Sequence, residues 1–204
     1  MPHYFTPTPT VPSRRREIQA RLRGRIWTFR TDRGVFSQAG IDRGTRLLIE
    51  TMPVRPGDHI LDLGCGYGPI GLVAASLAPQ GRVVLVDVNA RAVELAAENA
   101  RRLGYRHVEV YQGDGVGPVR DQRFDLVVMN PPVRAGRAVL RRLLRESGEV
   151  LRPGGRLYLV ARTAQGAKTL AGEMERAVGP VREVERAAGY RVYEAVREDR
   201  RGDV

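Results

Sequence analysis

Cysteine and histidine are scarce in this chain of 204 residues. Cys65 is the only cysteine, so no disulfide can form within the chain, and the three histidines, His3, His59 and His107, are not spaced like metal ligands. The sequence also has no apolar run near the length of a membrane span, and its first residues lack the pattern of a signal peptide. We therefore expect a cytoplasmic protein with no membrane partner and no metal, in which Cys65 is a small packing residue.

Lysine is almost missing too, since Lys168 is the only one in a chain whose formal net charge is +11. Arginine therefore carries the positive charge, and it is concentrated in residues 14–25 and 134–145. The second stretch contains Arg134, Arg137, Arg141, Arg142 and Arg145. Guanidinium groups bind phosphates and stack on bases, so this charge favours RNA as a partner. A solvated helix face would explain the second stretch equally well.

Short apolar runs alternate with segments of helical composition through most of the chain. Strands are expected at 59–63, 83–86, 108–111, 124–129 and 156–160, and helices at 42–52, 70–78, 91–103, 136–150 and 165–178. This alternation predicts an α/β fold with a Rossmann-like, doubly wound and mostly parallel sheet. Two late strands near 181–186 and 190–197 add an antiparallel edge hairpin and bring the sheet to seven strands.

The expected organisation is one domain with short extensions at both ends. Residues 1–40 form an N-terminal extension with a basic segment and short strands, because residues 1–12 are rich in proline and threonine and residues 24–32 are typical of a strand or hairpin. Residues 41–198 form the α/β domain, whose length can bury a substantial core. Residues 199–204 form a C-terminal tail.

A glycine-rich turn, LDLGCGYGPIG at residues 61–71, joins an expected strand to an expected helix. Gly64, Gly66 and Gly68 allow a tight turn and a close approach to a ligand. The helix that follows would present unpaired N–H groups to that ligand. The turn therefore predicts a cofactor site.

The same turn leaves two cofactor classes to compare. Gly66, Gly68 and Gly71 match the dinucleotide fingerprint, and Asp87 follows at roughly the distance expected for an acid that binds ribose. Asp62 favours the other class, because its charge at the mouth of the strand would repel a pyrophosphate and attract a cationic ligand. We find no hydride-transfer site that would support a dehydrogenase.

Two further acids follow strand ends. Asp87 closes the second apolar run, where a carboxylate can accept both ribose hydroxyls, and Asp114 follows the third in Gln-Gly-Asp-Gly. Ligands of open α/β sheets bind at the carboxyl ends of the strands, so Asp62, Asp87 and Asp114 together predict an adenosine site. Each acid alone could instead cap a helix or occupy a turn.

Asn130-Pro131-Pro132-Val133 follows the apolar run at 124–129. Two prolines hold the chain extended and donate no hydrogen bonds, so the carbonyls of Asn130 and Pro131 and the Asn130 side-chain oxygen can accept an exocyclic –NH₂ group. Such acceptors stabilise the positive charge that builds on a planar nitrogen when it attacks a methyl group. The tetrapeptide therefore predicts methyl transfer to nitrogen.

These motifs resemble a known family. Val35-Phe36-Ser37, Asp42, Gly44-Thr45, residues 61–71, Asp87-Val88-Asn89 and Asn130-Pro131-Pro132 with Arg134-Ala135-Gly136 are similar to the small methyltransferase domain of RsmC-like bacterial small-subunit rRNA guanine methyltransferases. The resemblance runs from about residue 3 to 197 and implies S-adenosylmethionine as the cofactor and an exocyclic guanine amine as the acceptor.

The resemblance also implies roles for particular residues. The expected cofactor-binding residues are Asp62, near the ammonium end of the cofactor, and Gly64, Cys65, Gly66, Asp87, Val88, Asp114, Gly115 and Asn130. The expected catalytic residues are Asn130, Pro131 and Pro132, and the expected substrate-binding residues are Phe36, Val133 and Arg134. The implied partner is RNA, either ribosomal RNA or a small-subunit particle, and the oligomeric state stays open.

The chain departs from the family in two respects. Characterised members carry a second, degenerate copy of the domain, and they place an aromatic residue where this chain has Val133, although single-domain relatives tend to have an aliphatic one. Phe36 is a candidate replacement for stacking on the base, and a core position would explain it equally well. Two other hypotheses remain: a methyltransferase of a protein glutamine amide, and an RNA-binding or ribosome-assembly module that binds the cofactor without turnover.

Overall fold

The computed structural model describes residues 6–131 and 136–198. Its strands are β1 (Arg16–Leu22), β2 (Arg25–Thr31), β3 (His59–Leu63), β4 (Arg82–Asp87), β5 (Val108–Gln112), β6 (Phe124–Met129), β7 (Leu151–Arg162), β8 (Val181–Ala187) and β9 (Tyr190–Val196). Its α-helices are α1 (Arg43–Thr51), α2 (Pro69–Leu77), α3 (Ala90–Arg102), α4 (Arg137–Val150) and α5 (Ala167–Ala177). Every predicted helix and strand from residue 42 onward is present, with ends shifted by a few residues.

Seven strands form the main sheet in the order β5-β4-β3-β6-β7-β9-β8. Strands β3 to β7 pair in parallel, while β9 runs antiparallel to both β7 and β8. Helices pack on both faces of the sheet. One buried apolar cluster contains residues of α1, α2 and α3, and the other contains residues of α4 and α5. The predicted doubly wound sheet with an antiparallel edge hairpin is confirmed.

The N-terminal hairpin was predicted only in part. β2 was expected, but β1 was not, because the many arginines of residues 14–25 conceal the alternation of Ile18, Ala20 and Leu22, which are buried. Trp27 and Phe29 of β2 are also buried, and they belong to the same apolar cluster as helices α1 to α3. The hairpin therefore shares a core with the α/β domain.

The strand β7 begins earlier than predicted. The sequence Pro153-Gly154-Gly155 was expected to be a turn before a strand at 156–160, whereas β7 starts at Leu151. The register between β6 and β7 shifts between Phe124 and Leu126, and Gly154 adopts a φ of 74°. Between these positions β6 advances by two residues and β7 by five, so β7 takes up three extra residues and still stays in the sheet, which a turn signal in the sequence does not reveal.

Local sequence signals set where the helices α1, α2 and α3 begin. Asp42 caps α1, accepting from the N–H groups of Gly44 and Thr45, and Asn89 caps α3 in the same way. Pro69 occupies the first turn of α2, where its missing N–H costs nothing. These caps place the starts of three helices around one edge of the sheet.

Within residues 6–131 and 136–198, no helix has the length and apolar composition needed to cross a bilayer. In the same ranges, His, Cys, Asp and Glu side chains do not gather in a group of three that could hold a metal ion.

Candidate functional site

A cavity of about 370 Å³ opens at the carboxyl edge of the sheet, where β3, β4, β5 and β6 end. The structure brings most of the predicted site residues together on its wall: Phe36, Gly64, Gly66, Asp87, Val88, Asp114, Gly115, Asn130 and Pro131. Asp62 and Cys65 do not line this cavity, and Pro132, Val133 and Arg134 lie outside the described residues.

The glycine loop after β3 exposes backbone to the cavity. Gly64 and Gly66 have φ values of 79° and 58°, and a Cβ atom added to either would meet no atom within 4 Å. The N–H of Gly64 donates to the carbonyl of Val86, so the loop is tied to the end of β4. Glycine is needed here both for its backbone conformation and because the space beside it is where a ligand can lie.

Asp87 links this loop to the next strand. One carboxylate oxygen accepts from the Gly66 N–H at 2.8 Å and the other from the Asn89 N–H at 2.9 Å. Burial raises the pKa of Asp87, and these backbone hydrogen bonds oppose that shift. Each carboxylate oxygen retains a lone pair that can accept a further hydrogen bond from a ligand hydroxyl.

Asp62 lies behind the glycine loop and does not line the cavity. Its side chain is fully buried behind the glycine loop, and one oxygen accepts from the Gly71 N–H at 2.7 Å at the start of α2. Burial raises the pKa of Asp62 to about 7, and the negative charge of Asp87 adds to that shift. The carboxylate therefore supports the turn from behind, and the mouth of the strand is covered by the loop itself.

A polar cluster stands at the β5 end of the cavity. Asp114 accepts from an Arg142 guanidinium nitrogen at 2.6 Å, and the same guanidinium donates to Glu146 at 3.1 Å. A Cβ atom on Gly115 would lie 2.0 Å from a Glu146 oxygen, and Gly115 has a φ of 63°, so an alanine there would strain the backbone and displace the Glu146 side chain. The arginine orients the Asp114 carboxylate at the wall and partly neutralises it.

Asn130 is oriented by a residue that our sequence interpretation did not assign to the site. Its amide nitrogen donates to the hydroxyl oxygen of Thr45 at 2.9 Å, across a separation of 85 residues. Because the nitrogen is engaged, the amide oxygen is the atom left to accept a donor, and Asn130 lies on the wall of the cavity. Thr45, in the first turn of α1, is itself held by the Asp42 cap.

A second, smaller cavity of about 20 Å³ continues from the first beside Asn130. The residues that line both cavities are Phe36, Gly64, Gly66 and Asn130. The small one adds Asp42, Thr45, Cys65 and Tyr67 among others. Burial raises the pKa of the Cys65 thiol, and the charges of Asp87 and Asp62 add to that shift, so the thiol stays protonated at neutral pH.

Several wall residues carry no motif and were not anticipated. They are Pro7, Ala92, Val139, Arg142 and Leu143. The carbonyl of Pro7 accepts from the Ala90 N–H at 2.9 Å, which holds the N-terminal segment across the start of α3. Apolar or irregular residues of this kind could be recognised only by their position in the fold.

Many arginines of the two basic stretches bond within the chain. In the first stretch, Arg23 donates to the carbonyls of Ile49 and Met52 at the end of α1, and Arg15 pairs with Glu98 at 3.0 Å. In the second, Arg142 pairs with Asp114 and Glu146, while two more arginines pair with Glu173 and Glu149, namely Arg141 and Arg145. The clustering in sequence therefore overstates the charge that is available to a partner.

The site as a whole fits a ligand that combines an adenosine with a cationic end. Acidic side chains stand at the ends of β4 and β5, open backbone lies at the glycine loop, and Asp42, whose Oδ2 is buried without a hydrogen-bond partner among the described residues, lines the small cavity. Negative groups at this edge disfavour a pyrophosphate and favour a positively charged ligand. These features suit S-adenosylmethionine.

Comparison with known proteins agrees with this geometry. The methyltransferase small domain family matches residues 26–194. The chain is 40% identical to an uncharacterized Bacillus subtilis protein, YbxB, over 95% of this chain and 97% of that protein. It is 36% identical to the ribosomal RNA small subunit methyltransferase C of Hahella chejuensis over 80% of this chain, which spans about half (48%) of that relative.

A solved structure shows the same fold. The Thermus thermophilus 16S rRNA N2 methyltransferase RsmC, in complex with S-adenosylmethionine and guanosine, superposes with a TM-score of 0.79 at 28% identity. The match covers 93% of this chain and 52% of that one. The chain therefore belongs to the methyltransferase small domain family and is an S-adenosylmethionine-dependent methyltransferase with the class I fold.

Proposed function

We propose that this protein methylates the exocyclic amine of a guanine in ribosomal RNA. The observation that carries the proposal is the orientation of Asn130, whose amide nitrogen is held by Thr45 so that its oxygen is left to accept a hydrogen bond from the acceptor. The relatives named as ribosomal RNA small subunit methyltransferases support the choice of acceptor.

The proposed chemistry needs little from the protein beyond well-placed acceptors. When bound, S-adenosylmethionine supplies a methyl group on a positively charged sulfur, which becomes a neutral thioether after transfer. The oxygen of Asn130 accepts an N–H of the acceptor amine and stabilises the positive charge that develops on its nitrogen. Because the methylated nitrogen then loses its proton to water, no general base is required.

The remaining site residues take supporting roles in this proposal. Asp87 accepts the ribose hydroxyls of the cofactor, and Asp114 accepts a hydrogen bond from its adenine amine, with Gly64, Gly66, Val88 and Gly115 forming the wall. Asp62 supports the loop from behind, and Cys65 lines the small cavity. Phe36, which lines both cavities, stacks on the target base at the entrance.

We assign the residues that follow Asn130 to the binding of the acceptor nucleotide. Pro131 lies on the cavity wall, and we propose that its carbonyl accepts a second hydrogen bond of the amine, with Pro132 holding the chain extended. Val133 and Arg134 follow directly and would contact the nucleotide. Because many arginines of the two basic stretches pair within the chain, the net charge is weak support for RNA as the substrate. The named relatives and the orientation of Asn130 support this proposal more strongly.

Transfer of radiolabelled methyl groups tests this proposal. Ribosomal RNA and small-subunit particles from a strain lacking the gene are each incubated with wild type and with Asn130→Ala, and the labelled nucleoside is identified after digestion. We expect methylguanosine with the wild type and a loss of at least about 100-fold in turnover with the variant, the scale seen when one such stabilising partner is removed. Binding of S-adenosylmethionine by Asn130→Ala, measured by calorimetry, should stay close to that of the wild type.

Two results would contradict the proposal in different ways. Label in a protein fraction, or in a nucleoside other than guanosine, would overturn the acceptor. Normal turnover by Asn130→Ala would overturn the mechanism and leave the acceptor standing.

A further inference from the structure

Asp42 has one carboxylate oxygen that the fold leaves unsatisfied. Its Oδ1 caps α1, accepting from the Gly44 and Thr45 N–H groups at 2.9 and 3.1 Å. Its Oδ2 is buried from water and has no hydrogen-bond partner in the part of the chain that the structure describes. A buried carboxylate oxygen without a donor is costly, so a native structure rarely keeps one unless a ligand or water satisfies it.

The surroundings of Asp42 indicate what kind of group could donate a hydrogen bond to its Oδ2. It lines the small cavity of about 20 Å³ beside Asn130 and the glycine loop. A cavity needs roughly 10–15 Å³ to hold one water molecule, so this space suits a single group of that size. An ammonium group has that size and offers both a positive charge and N–H donors to a carboxylate.

The position of the small cavity matches one end of the cofactor. The strands run β5, β4, β3, β6 across the sheet, so Asp114, Asp87, Gly64 and Asn130 stand in that order along the cavity wall. With the adenine at Asp114 and the ribose at Asp87, as proposed above, the amino-acid end extends past Gly64. The small cavity lies there.

Asp62 is the other acid that could serve this end, but its position argues against it. Its Oδ1 is also buried without a hydrogen-bond partner among the described residues, so the unpaired oxygen alone does not separate the two acids. Asp62 lines neither cavity, however, and it lies fully buried against the Gly71 N–H at the start of α2. Asp42 in contrast is a lining residue of the small cavity, where it stands on the N-terminal side as the cap of α1.

We propose that the Oδ2 atom of Asp42 binds the α-ammonium group of S-adenosylmethionine. The cap of α1 then has two tasks, since Oδ1 holds the helix that carries Thr45 and Oδ2 holds the cofactor. The helix that orients Asn130 is in this way fastened to the cofactor by one side chain. This proposal depends on the orientation of the cofactor and is independent of which acceptor is methylated.

Calorimetry with two ligands tests it without any turnover. S-Adenosylhomocysteine and 5′-methylthioadenosine share the adenosine and an uncharged sulfur, but only the first has the ammonium group. Asp42→Asn keeps the size of the side chain and an oxygen that can cap α1, while it removes the charge. We expect it to weaken S-adenosylhomocysteine binding by about 10- to 100-fold, the range for a hydrogen bond to a charged group, and 5′-methylthioadenosine binding by less than about 2-fold.

Asp62→Asn is the matched control, because it removes a carboxylate from the other side of the same loop. It should change the affinities for both ligands by the same factor, since it acts through the backbone of the loop. Asp42→Ser, which retains a cap without a second oxygen, should repeat the selective loss seen with Asp42→Asn, and its thermal unfolding shows that the domain is folded.

Equal losses for both ligands in the Asp42 variants would overturn the proposal and assign Asp42 a structural role alone. Unchanged binding of S-adenosylhomocysteine would overturn it as well and point to the acceptor as the partner of Oδ2. Either result would leave the RNA proposal intact, since that proposal is judged by methyl transfer.

Discussion

The two sides of the cofactor cavity are built in different ways. On the sheet side, neighbouring strand ends are joined by short bonds from backbone to side chain, such as the Gly66 N–H to Asp87. On the N-terminal side, residues 7–45 are fastened by contacts across long sequence separations, such as Asn89 to the Gly34 carbonyl at 2.8 Å and Asn130 to Thr45. A sheet edge can be recognised from a local pattern, whereas the side that completes the cavity depends on tertiary packing.

The two sides also use acids differently. Asp62, on the sheet side, is sealed behind the loop, and its charge is disfavoured by burial. Asp42, on the N-terminal side, caps a helix and lines the small cavity. An acid next to a glycine-rich loop therefore need not line the cavity, whereas an acid from a distant part of the sequence can.

The largest expected effect is a dependence of the free energy of unfolding on pH, and it arises from Asp62. The pKa of Asp62 is about 7 in the folded protein and near its ordinary value of 3.8 when unfolded, so the folded state binds the proton more tightly. The free energy of unfolding should therefore fall as pH rises between about 4 and 7, by up to about 4 kcal/mol from this residue.

Denaturant unfolding of the ligand-free protein between pH 4 and 8.5 measures this contribution. Asp62→Asn should remove it, so that the stability of the wild type relative to the variant declines with rising pH. Parallel curves for wild type and variant would show that the carboxyl titrates equally in both states.

A smaller effect is expected where the two sides meet at Thr45. Thr45→Val keeps the size of the buried side chain but removes the hydroxyl that holds the Asn130 amide. We expect turnover to fall by about 10- to 100-fold, equivalent to about 1.4–2.7 kcal/mol, because the amide oxygen is no longer fixed. The measurement is methyl transfer to ribosomal RNA together with the affinity for S-adenosylmethionine.

Thr45→Ser is the control, since it retains the hydroxyl and should restore most of the turnover. Both variants should bind S-adenosylmethionine within about 3-fold of the wild type, because the backbone N–H that Asp42 caps is unchanged. A loss of affinity that parallels the loss of turnover would show that Thr45 supports the fold rather than the orientation of Asn130.

The difference between the sheet side and the N-terminal side also determines how much of the site could be predicted from the sequence. Gly64, Gly66, Asp87 and Asn130 stand directly after apolar strands, and parallel strands bring their carboxyl ends to one edge, so their meeting was predictable. The position of Pro7 on the wall was not, because it depends on a loop that crosses the domain. No periodicity or motif encodes such a contact.

Asp62 and the arginines show a second limit. A motif indicates which residues are near a ligand, but whether a side chain faces it depends on burial, which placed Asp62 behind the loop. Arginine clusters likewise gave no indication that Glu98, Asp114 and Glu173, which are distant in the sequence, would pair with them. Charge in a sequence becomes charge on a surface only after such pairs are known.

The smallest expected effect compares one glycine from each side. Gly34 and Gly64 have similar φ values of 81° and 79°, so alanine strains the backbone equally at both positions. A Cβ atom at Gly34 would lie 2.9 Å from Val11 and 3.0 Å from Pro9, whereas at Gly64 it would enter the open cavity. Gly34→Ala should therefore cost about 1 kcal/mol more stability than Gly64→Ala, and Gly64→Ala should weaken S-adenosylmethionine binding more, by about 10-fold. The denaturant midpoints of the two variants measure their stability, and calorimetry measures their affinity for S-adenosylmethionine. If the two variants lost equal stability and equal affinity, packing on the N-terminal side and open space on the sheet side would not distinguish the two glycines.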